Sequence, residues 1–412
     1  MQRSSSSVKG LNQPEPGSTI ESSFFRDGFD LEIAEASRHF RGASFPIECV
    51  DLGTSELVSP PRYSVPIDYL LASLHTQSNR IESQFEAGIG IHAYQVKSMA
   101  LPPIKTVGVI GTGVIGASWT ALFLAKGLKV IVTDPAPGAE ARLRDQLLKH
   151  WPSIPNAKVT QDEYLNNFKF VEEIDAYLGD VDLIQENGPE RLDFKRSLFA
   201  HLDANTPEHV LIASSSSGLP SSEFITECNK NPARILIGHP FNPPHLVPLV
   251  EVVPHQGTGD AYVTAALQFY RSLGKDPVLV KKETPGFIAN RLQAAVCAEA
   301  YSLVSRGIVS AEDLDKTMTS GLGLRWALTG PIMTNTLGGG GNFNHFMDHL
   351  GPALKTWLDD MHRHEFDLNS QDVDILKERV NEWTSQANLE EIEQSRNKRL
   401  VDLIKSKSED SV

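Results

Sequence analysis

A glycine-rich turn between an apolar run and an apolar helical pattern constrains the fold of this chain more than any other stretch. Residues 107–110 are apolar or small, and Gly111, Gly113 and Gly116 follow at the spacing Gly-x-Gly-x-x-Gly. A helical pattern continues to residue 124, and a second strand-like run, residues 129–133, ends at Asp134. A strand, a glycine turn, a helix and a strand closed by a carboxylate are the parts of a dinucleotide-binding βαβ unit.

Each glycine of this turn has its own predicted role. Gly111 permits the tight turn, Gly113 lets the backbone approach a pyrophosphate, and Gly116 lets the helix pack close to the strand. The first helical residues, Val114 and Ile115, would offer free N–H groups to the phosphates. We therefore expect a dinucleotide at this turn.

Asp134 bears on the choice of dinucleotide. A carboxylate at the end of the second strand accepts hydrogen bonds from a ribose 2′-hydroxyl and repels a 2′-phosphate. No Arg or Lys directly follows it to reverse this preference. The alternative, an Asp that only caps the next helix, fits the spacing less well, so the sequence predicts NAD.

Composition limits the classes of partner. The chain has 412 residues and a formal net charge of −14, which argues against nucleic acid and anionic membranes as main partners. No apolar run approaches the roughly 20 residues that span a bilayer, and the N-terminus has no secretory signal pattern. Cys49, Cys228 and Cys297 are scattered, without a disulfide framework or zinc spacing. We expect a cytoplasmic protein.

The chain divides by composition and period into four parts. Residues 1–98 have a Ser- and Pro-rich loop composition, and we expect a poorly ordered N-terminal extension, with Met99 where a stand-alone dinucleotide domain would begin. Residues 99–283 alternate strands and helices, which predicts a Rossmann-type, doubly wound α/β domain. Residues 284–395 predict an all-helical substrate and dimerisation domain, with helices over 287–301, 343–358 and 372–405. Residues 396–412 would be a charged tail.

One histidine stands where chemistry gathers in an α/β sheet. His239 ends a predicted strand, and the carboxyl ends of such strands form the active edge. An enzyme that removes hydride from an alcohol needs a general base for the hydroxyl proton, and His suits that role near neutral pH. Glu251 lies among valines in the next strand, where a carboxylate needs a partner. We expect an imidazole–carboxylate pair; a satisfied core histidine is the alternative.

Other candidates are more ambiguous. Ser217 could hydrogen-bond a substrate oxygen, although residues 214–217 are four serines and could form an ordinary polar loop. Asn290 could donate to the same oxygen or could pack a helix. Arg325, in a glycine-rich setting, could clamp a carboxylate or form an interdomain salt bridge. His345 and His349 share a helix face without a third ligand, and we expect no metal site.

Several motifs, in this order, carry a family resemblance. They are Gly111–Gly116, Glu186-Asn-Gly-Pro-Glu-Arg-Leu-Asp-Phe-Lys195, Ser214-Ser-Ser-Ser-Gly-Leu219, His239-Pro-Phe-Asn-Pro-Pro244, Leu249-Val-Glu-Val-Val253 and Thr284-Pro-Gly-Phe-Ile-Ala-Asn-Arg291. Across residues 99 to about 405 the chain resembles the 3-hydroxyacyl-CoA dehydrogenase superfamily. Within it, the chain is most similar to the branch of λ-crystallin, L-gulonate 3-dehydrogenase and carnitine dehydrogenase.

The resemblance implies roles for the residues of these motifs and a homodimer formed through the helical domain. The implied site comprises a catalytic His239–Glu251 pair, Ser217 and Asn290 near the substrate oxygen, Asn242 in the same pocket, and Glu190 and Lys195 bordering the cofactor. The pair Ser217–Gly218 departs from the family pattern, where Ser or Thr is usually followed by Ser. The 98-residue extension is also foreign to the family.

The same resemblance narrows the expected substrate. Residues 239–244 and 324–327 look more like the gulonate and carnitine enzymes than the fatty-acid enzymes. We therefore expect a small free 3-hydroxy acid, its carboxylate held by Arg325. The alternatives are an L-3-hydroxyacyl-CoA dehydrogenase and a non-enzymatic, NAD-binding protein of the crystallin kind.

Overall fold

One eight-stranded sheet organises the part of the chain that the structure describes. The computed structural model describes residues 101–154 and 156–409; the predicted extension and the suggested start at Met99 lie outside these ranges. The strands are β1 Thr106–Ile110, β2 Lys129–Thr133, β3 Phe168–Val171, β4 Leu183–Glu186, β5 Leu211–Ser214, β6 Ile235–Pro240, β7 Leu249–Pro254 and β8 Asp276–Leu279. Their order is β3-β2-β1-β4-β5-β6-β7-β8, and all neighbours are parallel except β6 and β7.

Helices connect the strands and cover both faces of the sheet. They are α1 Val114–Ala125, α2 Ala139–His150, α3 Gln161–Asn166, α4 Leu192–Asn205, α5 Ser221–Phe224 and α6 Asp260–Ser272, with short 3-10 turns at Trp151–Ser153, Asp175–Tyr177 and Pro232–Arg234. Adjacent strand residues join different apolar clusters: Leu183 packs with Trp119 and Phe123, whereas Ile184 packs with Phe199 and Phe224. Successive side chains of a strand point to opposite faces, so the sheet is buried on both sides.

The remainder of the described chain is helical. It consists of α7 Ala289–Ser305, α8 Ala311–Thr317, a π-helical turn Met318–Leu322, α9 Gly323–Gly338, α10 Phe343–Arg363, α11 Ser370–Thr384 and α12 Leu389–Glu409. The predicted doubly wound α/β domain followed by an all-helical region is therefore confirmed. Within the described ranges, no helix combines the length and apolar character needed to cross a bilayer.

Two helix predictions were wrong in detail. Helix α7 begins at Ala289 rather than at 287, because Gly286 (φ +72°) and Phe287 (φ +51°) are left-handed and cannot continue a right-handed helix. The helix predicted over 372–405 is two helices with a break at 385–388.

The predicted boundary between residues 395 and 396 falls inside α12. Leu389, Ile392, Leu400 and Ile404 recur at helical spacing through this stretch, so its charged residues belong to an amphipathic helix. Helix α12 also returns to the sheet region, where it lines a cavity together with residues of α1 and α2.

Candidate active site

The glycine turn after β1 has the geometry of a phosphate cradle. Gly111 has φ +88°, and a Cβ there would lie 2.7 Å from the carbonyl oxygen of Asn187. A Cβ at Gly116 would lie 1.9 Å from the carbonyl oxygen of Gly111, which only a glycine avoids. A Cβ at Gly113 would meet no described atom within 4 Å, so this position opens to the space where a pyrophosphate would lie. Gly113 is the N-cap of α1, and Val114 and Ile115 begin the helix.

Asp134, directly after β2, ties this turn to the next strand. Its Oδ2 accepts hydrogen bonds from the backbone N–H and hydroxyl of Thr112, both at 2.7 Å, and its Oδ1 accepts from the Ala136 N–H at 2.8 Å. Burial raises the pKa of Asp134, but the bonds from Thr112 and Ala136 outweigh it and hold the pKa below its ordinary value. The ionised Oδ1 keeps acceptor capacity for a ribose hydroxyl. Thr112 was not singled out from the sequence.

His239 and Glu251 are direct neighbours across the antiparallel pair β6–β7. His239 Nδ1 lies 2.8 Å from Glu251 Oε2, and both side chains are buried. Oε1 of Glu251 accepts from the N–H groups of Ile288 and Ala289, each at 2.9 Å. Burial raises the pKa of Glu251, but the hydrogen bonds from His239, Ala289 and Ile288 lower it by more. The pKa therefore lies below its ordinary value, and the carboxylate is ionised. A carboxylate on Nδ1 keeps the ring proton there and leaves Nε2 as the basic nitrogen.

The turn before α7 orients the N–H groups of Ile288 and Ala289 toward Glu251. Gly286 and Phe287 are consecutive left-handed residues, and the Phe287 N–H closes the turn on the Thr284 carbonyl at 3.0 Å. The buried Phe287 ring lies 5.7 Å from the His239 ring, and Phe241 lies 5.4 Å from it. These aromatic neighbours were missed in the sequence, because only a fold brings residues 241 and 287 to the same imidazole.

Glu190 organises the serine loop, defined as residues 214–219. Its Oε1 accepts from the Ser216 hydroxyl at 2.6 Å and from the N–H groups of Ser217 and Gly218 at 3.0 and 3.1 Å. Burial raises the pKa of Glu190, but the Ser216 hydroxyl, Lys195 and the loop amides together hold it below its ordinary value. The loop is thus folded around an ionised carboxylate.

The structure distinguishes the four serines that the sequence left equivalent. The Ser214 hydroxyl donates to Glu186, that of Ser215 donates to Asn187 at 2.7 Å, and that of Ser216 donates to Glu190. Ser217 is exposed, and its hydroxyl bonds to no described residue. Ser217 is therefore the serine of this run whose hydroxyl is available to a ligand.

Asn290 is joined to the serine loop. Its Nδ2 donates to the Ser217 carbonyl oxygen at 2.7 Å, which brings α7 and the loop after β5 together. The amide keeps a second N–H and its oxygen for another partner. Ser217 and Asn290, predicted from different motifs, are thus in direct contact.

Lys195 lies beneath the serine loop. Its ammonium bonds both oxygens of Glu186, at 2.9 and 2.8 Å, and lies 3.6 Å from Glu190. Only 1% of the surface of Lys195 is exposed, so the residue has almost no surface for direct contact with a ligand.

Asn242 and Arg325 lie in different environments. Asn242, exposed and followed by a cis peptide bond to Pro243, lines a cavity of about 770 Å³ together with Val114 and His245. Arg325 is exposed on α9, and no hydrogen bond or ion pair within the described residues joins its guanidinium to the sheet. Among residues 101–154 and 156–409, no group of three or more His, Cys, Asp or Glu side chains is arranged to hold a metal ion.

A dinucleotide cradle and a buried imidazole–carboxylate pair at the same edge of one sheet are typical of a nicotinamide-dependent oxidoreductase. Comparison with known families agrees. Residues 106–284 match the 3-hydroxyacyl-CoA dehydrogenase NAD binding domain, and residues 286–367 match the C-terminal domain of the same family. The chain belongs to the 3-hydroxyacyl-CoA dehydrogenase family and is an NAD-dependent oxidoreductase, as the motifs predicted.

Individual relatives bear two different names. A 3-hydroxyacyl-CoA dehydrogenase of Gibberella moniliformis is 53% identical over 74% of this chain and 95% of its own length. An L-carnitine dehydrogenase of Nocardiopsis dassonvillei is 45% identical over 61% of this chain and 77% of its own. Among solved structures, the 5-formyl-3-hydroxy-2-methylpyridine 4-carboxylic acid 5-dehydrogenase, an NAD⁺-dependent dismutase, has a TM-score of 0.57 at 26% identity and covers 73% of this chain and 97% of its own.

Proposed function

We propose that this enzyme interconverts a small free 3-hydroxy acid and its 3-oxo form, with His239 as the general base. The observation that carries the proposal is the buried His239–Glu251 pair, at the same edge of the parallel strands as the glycine turn. An ionised Glu251 holds one ring nitrogen of His239 as a donor, so the other nitrogen can take a proton.

The proposed chemistry divides between the cofactor and the side chains. Bound NAD⁺ supplies the acceptor for the hydride that leaves the carbinol carbon. His239 takes the hydroxyl proton as the carbon–oxygen double bond forms, and the resulting imidazolium is stabilised by Glu251. The Ser217 hydroxyl and the second N–H of Asn290 would hydrogen-bond the substrate oxygen, because both remain available in the structure.

The NAD site would use the glycine turn and its surroundings. Gly111, Gly113 and Gly116, with the N–H groups of Val114 and Ile115, would hold the pyrophosphate, and Asp134 would bind the adenosine ribose. The open space at Gly113 and the remaining acceptor capacity of Asp134 support this assignment. Glu190 would border the cofactor at the serine loop, with Lys195 acting through it.

The substrate assignment rests on Arg325, Asn242 and the relatives. An exposed guanidinium without a partner among the described residues can bind a carboxylate bidentately, and the family resemblance implies that Asn242 lines the substrate pocket. The carnitine dehydrogenase relatives act on a free 3-hydroxy acid, to judge from their name. A second candidate is a 3-hydroxyacyl-CoA, which the name of the 53% identical relative supports.

A substrate panel tests the reaction and the base together. We expect NADH formation with one of L-carnitine, L-gulonate or L-3-hydroxybutyrate, at a higher kcat/KM than with L-3-hydroxybutyryl-CoA, and little turnover with NADP. His239→Gln should lower kcat by about 10²–10⁴-fold while the Kd for NADH changes by less than about threefold.

Three outcomes of this panel would contradict the proposal. A higher kcat/KM for L-3-hydroxybutyryl-CoA would show that the substrate is an acyl-CoA thioester and not a free acid. NADH binding without turnover of any compound would indicate a non-enzymatic protein. Activity retained in His239→Gln would remove His239 as the base.

The carboxylate clamp is tested separately at Arg325. Arg325→Ala should raise KM for the best free acid by about tenfold or more, since a charged hydrogen-bonded pair contributes about 1.5–3 kcal/mol. Arg144→Ala, which removes another exposed guanidinium, on α2, serves as the control and should leave KM unchanged. An unchanged KM in Arg325→Ala would refute the clamp.

We also propose a homodimer formed through the helical region. Helices α9 and α10 expose large apolar side chains, including Leu324, Ile332, Leu337 and Trp357, each more than half exposed. Apolar surface of this extent is usually covered by a partner, and the resemblance implies a second copy.

Sedimentation velocity tests the dimer directly. The protein should sediment as a dimer at micromolar concentration, and Ile332→Asp should shift it to monomer because it places a charge in the apolar surface. Leu148→Asp, at an exposed leucine of α2, should remain dimeric. A monomeric wild type would contradict this proposal.

A further inference from the structure

We propose that Ser118 and His245 form a latch that positions the substrate loop, defined as residues 241–248, against the cofactor-binding helix α1. Ser118 lies in the second turn of α1, and His245 lies 127 residues further on, in the loop that joins β6 to β7. The substrate loop begins two residues after His239 and carries Asn242. The latch thus connects the helix that would hold NAD to the loop that would contact substrate, and in this respect it rests on the proposed function.

Two hydrogen bonds close the latch. The Ser118 hydroxyl oxygen accepts from the His245 backbone N–H at 2.8 Å, and it lies 2.8 Å from His245 Nδ1. Both side chains are buried. Burial, His150 and Lys275 lower the pKa of His245 to about 3, so its ring is neutral and Nδ1 accepts from the Ser118 hydroxyl. One hydroxyl therefore binds both the backbone and the side chain of the same loop residue.

Lys275 also makes hydrogen bonds to the substrate loop. Its buried ammonium donates to the carbonyl oxygens of Pro244 and Val247, the latter at 2.7 Å. It also lies 5.5 Å from the ring of Trp119, the neighbour of Ser118 on α1. The loop is thus held at three of its residues, two of them flanking His245.

The latch lies beside a cavity that α1, the substrate loop, the end of α2 and α12 share. The cavity of about 770 Å³ is lined by Val114, the first residue of α1, by Asn242, Pro243 and His245, and by residues of α2 and α12. His245 lines this cavity and is hydrogen-bonded to the buried Ser118. Any shift of the loop relative to α1 would change the distance between Asn242 and the cofactor, and displacements of about 1 Å can cost on the order of a hundredfold in rate.

Hydrogen exchange tests the latch without a substrate. Ser118→Ala should speed amide exchange in peptides covering 241–248 by about tenfold, since it removes buried hydrogen bonds that contribute on the order of 1 kcal/mol each. Thr120→Ala is the matched control: Thr120 is also buried on α1, but its hydroxyl donates to the Gly116 carbonyl and not to the loop. His245→Phe removes the Nδ1 bond but keeps the backbone N–H bond to Ser118, so it should speed exchange by a smaller factor, and it provides the test if Ser118→Ala does not fold.

Kinetics test the functional consequence. Ser118→Ala should lower kcat/KM for the best substrate of the wild type by about ten- to a hundredfold, with the Kd for NADH, measured by its fluorescence, within about twofold. The double variant Ser118→Ala/His245→Phe should lose little more than Ser118→Ala alone, because Ser118→Ala already removes both hydrogen bonds between these residues.

The outcomes separate this inference from the proposed function. Unchanged loop exchange, or equal effects of Ser118→Ala and Thr120→Ala on exchange and kcat/KM, would overturn the latch. A wild type without turnover would refute the proposed function, while faster loop exchange in Ser118→Ala would still support the latch itself.

Discussion

The rest of the active edge of the sheet depends on the hydrogen bonds that the buried Glu251 carboxylate accepts. A carboxylate in an apolar strand is costly unless its charge is met by hydrogen bonds, and here His239 Nδ1 and two backbone amides meet it. One oxygen of Glu251 orients the imidazole of His239, and the other accepts hydrogen bonds from the backbone N–H groups at the start of α7. The same group thus fixes the proposed base and joins the helical region to the sheet.

Carboxylates organise two further loops of this edge in the same way. Asp134 accepts hydrogen bonds from the backbone N–H groups of Thr112 and Ala136, and Glu190 accepts from the backbone N–H groups of the serine loop. In all three cases the net effect of burial and hydrogen bonding is a pKa below the ordinary value, so the acids remain charged. Ionised side chains therefore position the NAD cradle, the serine loop and the proposed base.

The sequence predicted the parts of this site that local pattern controls. The glycine turn, its flanking strand and helix, and the strand-end His239 follow from spacing and periodicity, and Glu251 was found because an acid among valines needs a partner. The different partners of the four serines 214–217 and the contact of Ser118 with His245 could not be predicted, because they depend on side chains brought together across many residues. The late start of α7 depends on Phe287, a residue type that seldom adopts a left-handed conformation.

The substitution Glu251→Gln tests whether Glu251 makes His239 a base. If the Gln oxygen accepts from the amides of Ile288 and Ala289, its NH₂ group faces Nδ1, which places the ring proton on Nε2 and removes the base. We expect kcat for oxidation of the best 3-hydroxy acid to fall by about 10²–10⁴-fold, with NADH affinity and the melting temperature of the NADH complex nearly unchanged. Oxidation within a few fold of the wild-type rate would contradict this role of Glu251.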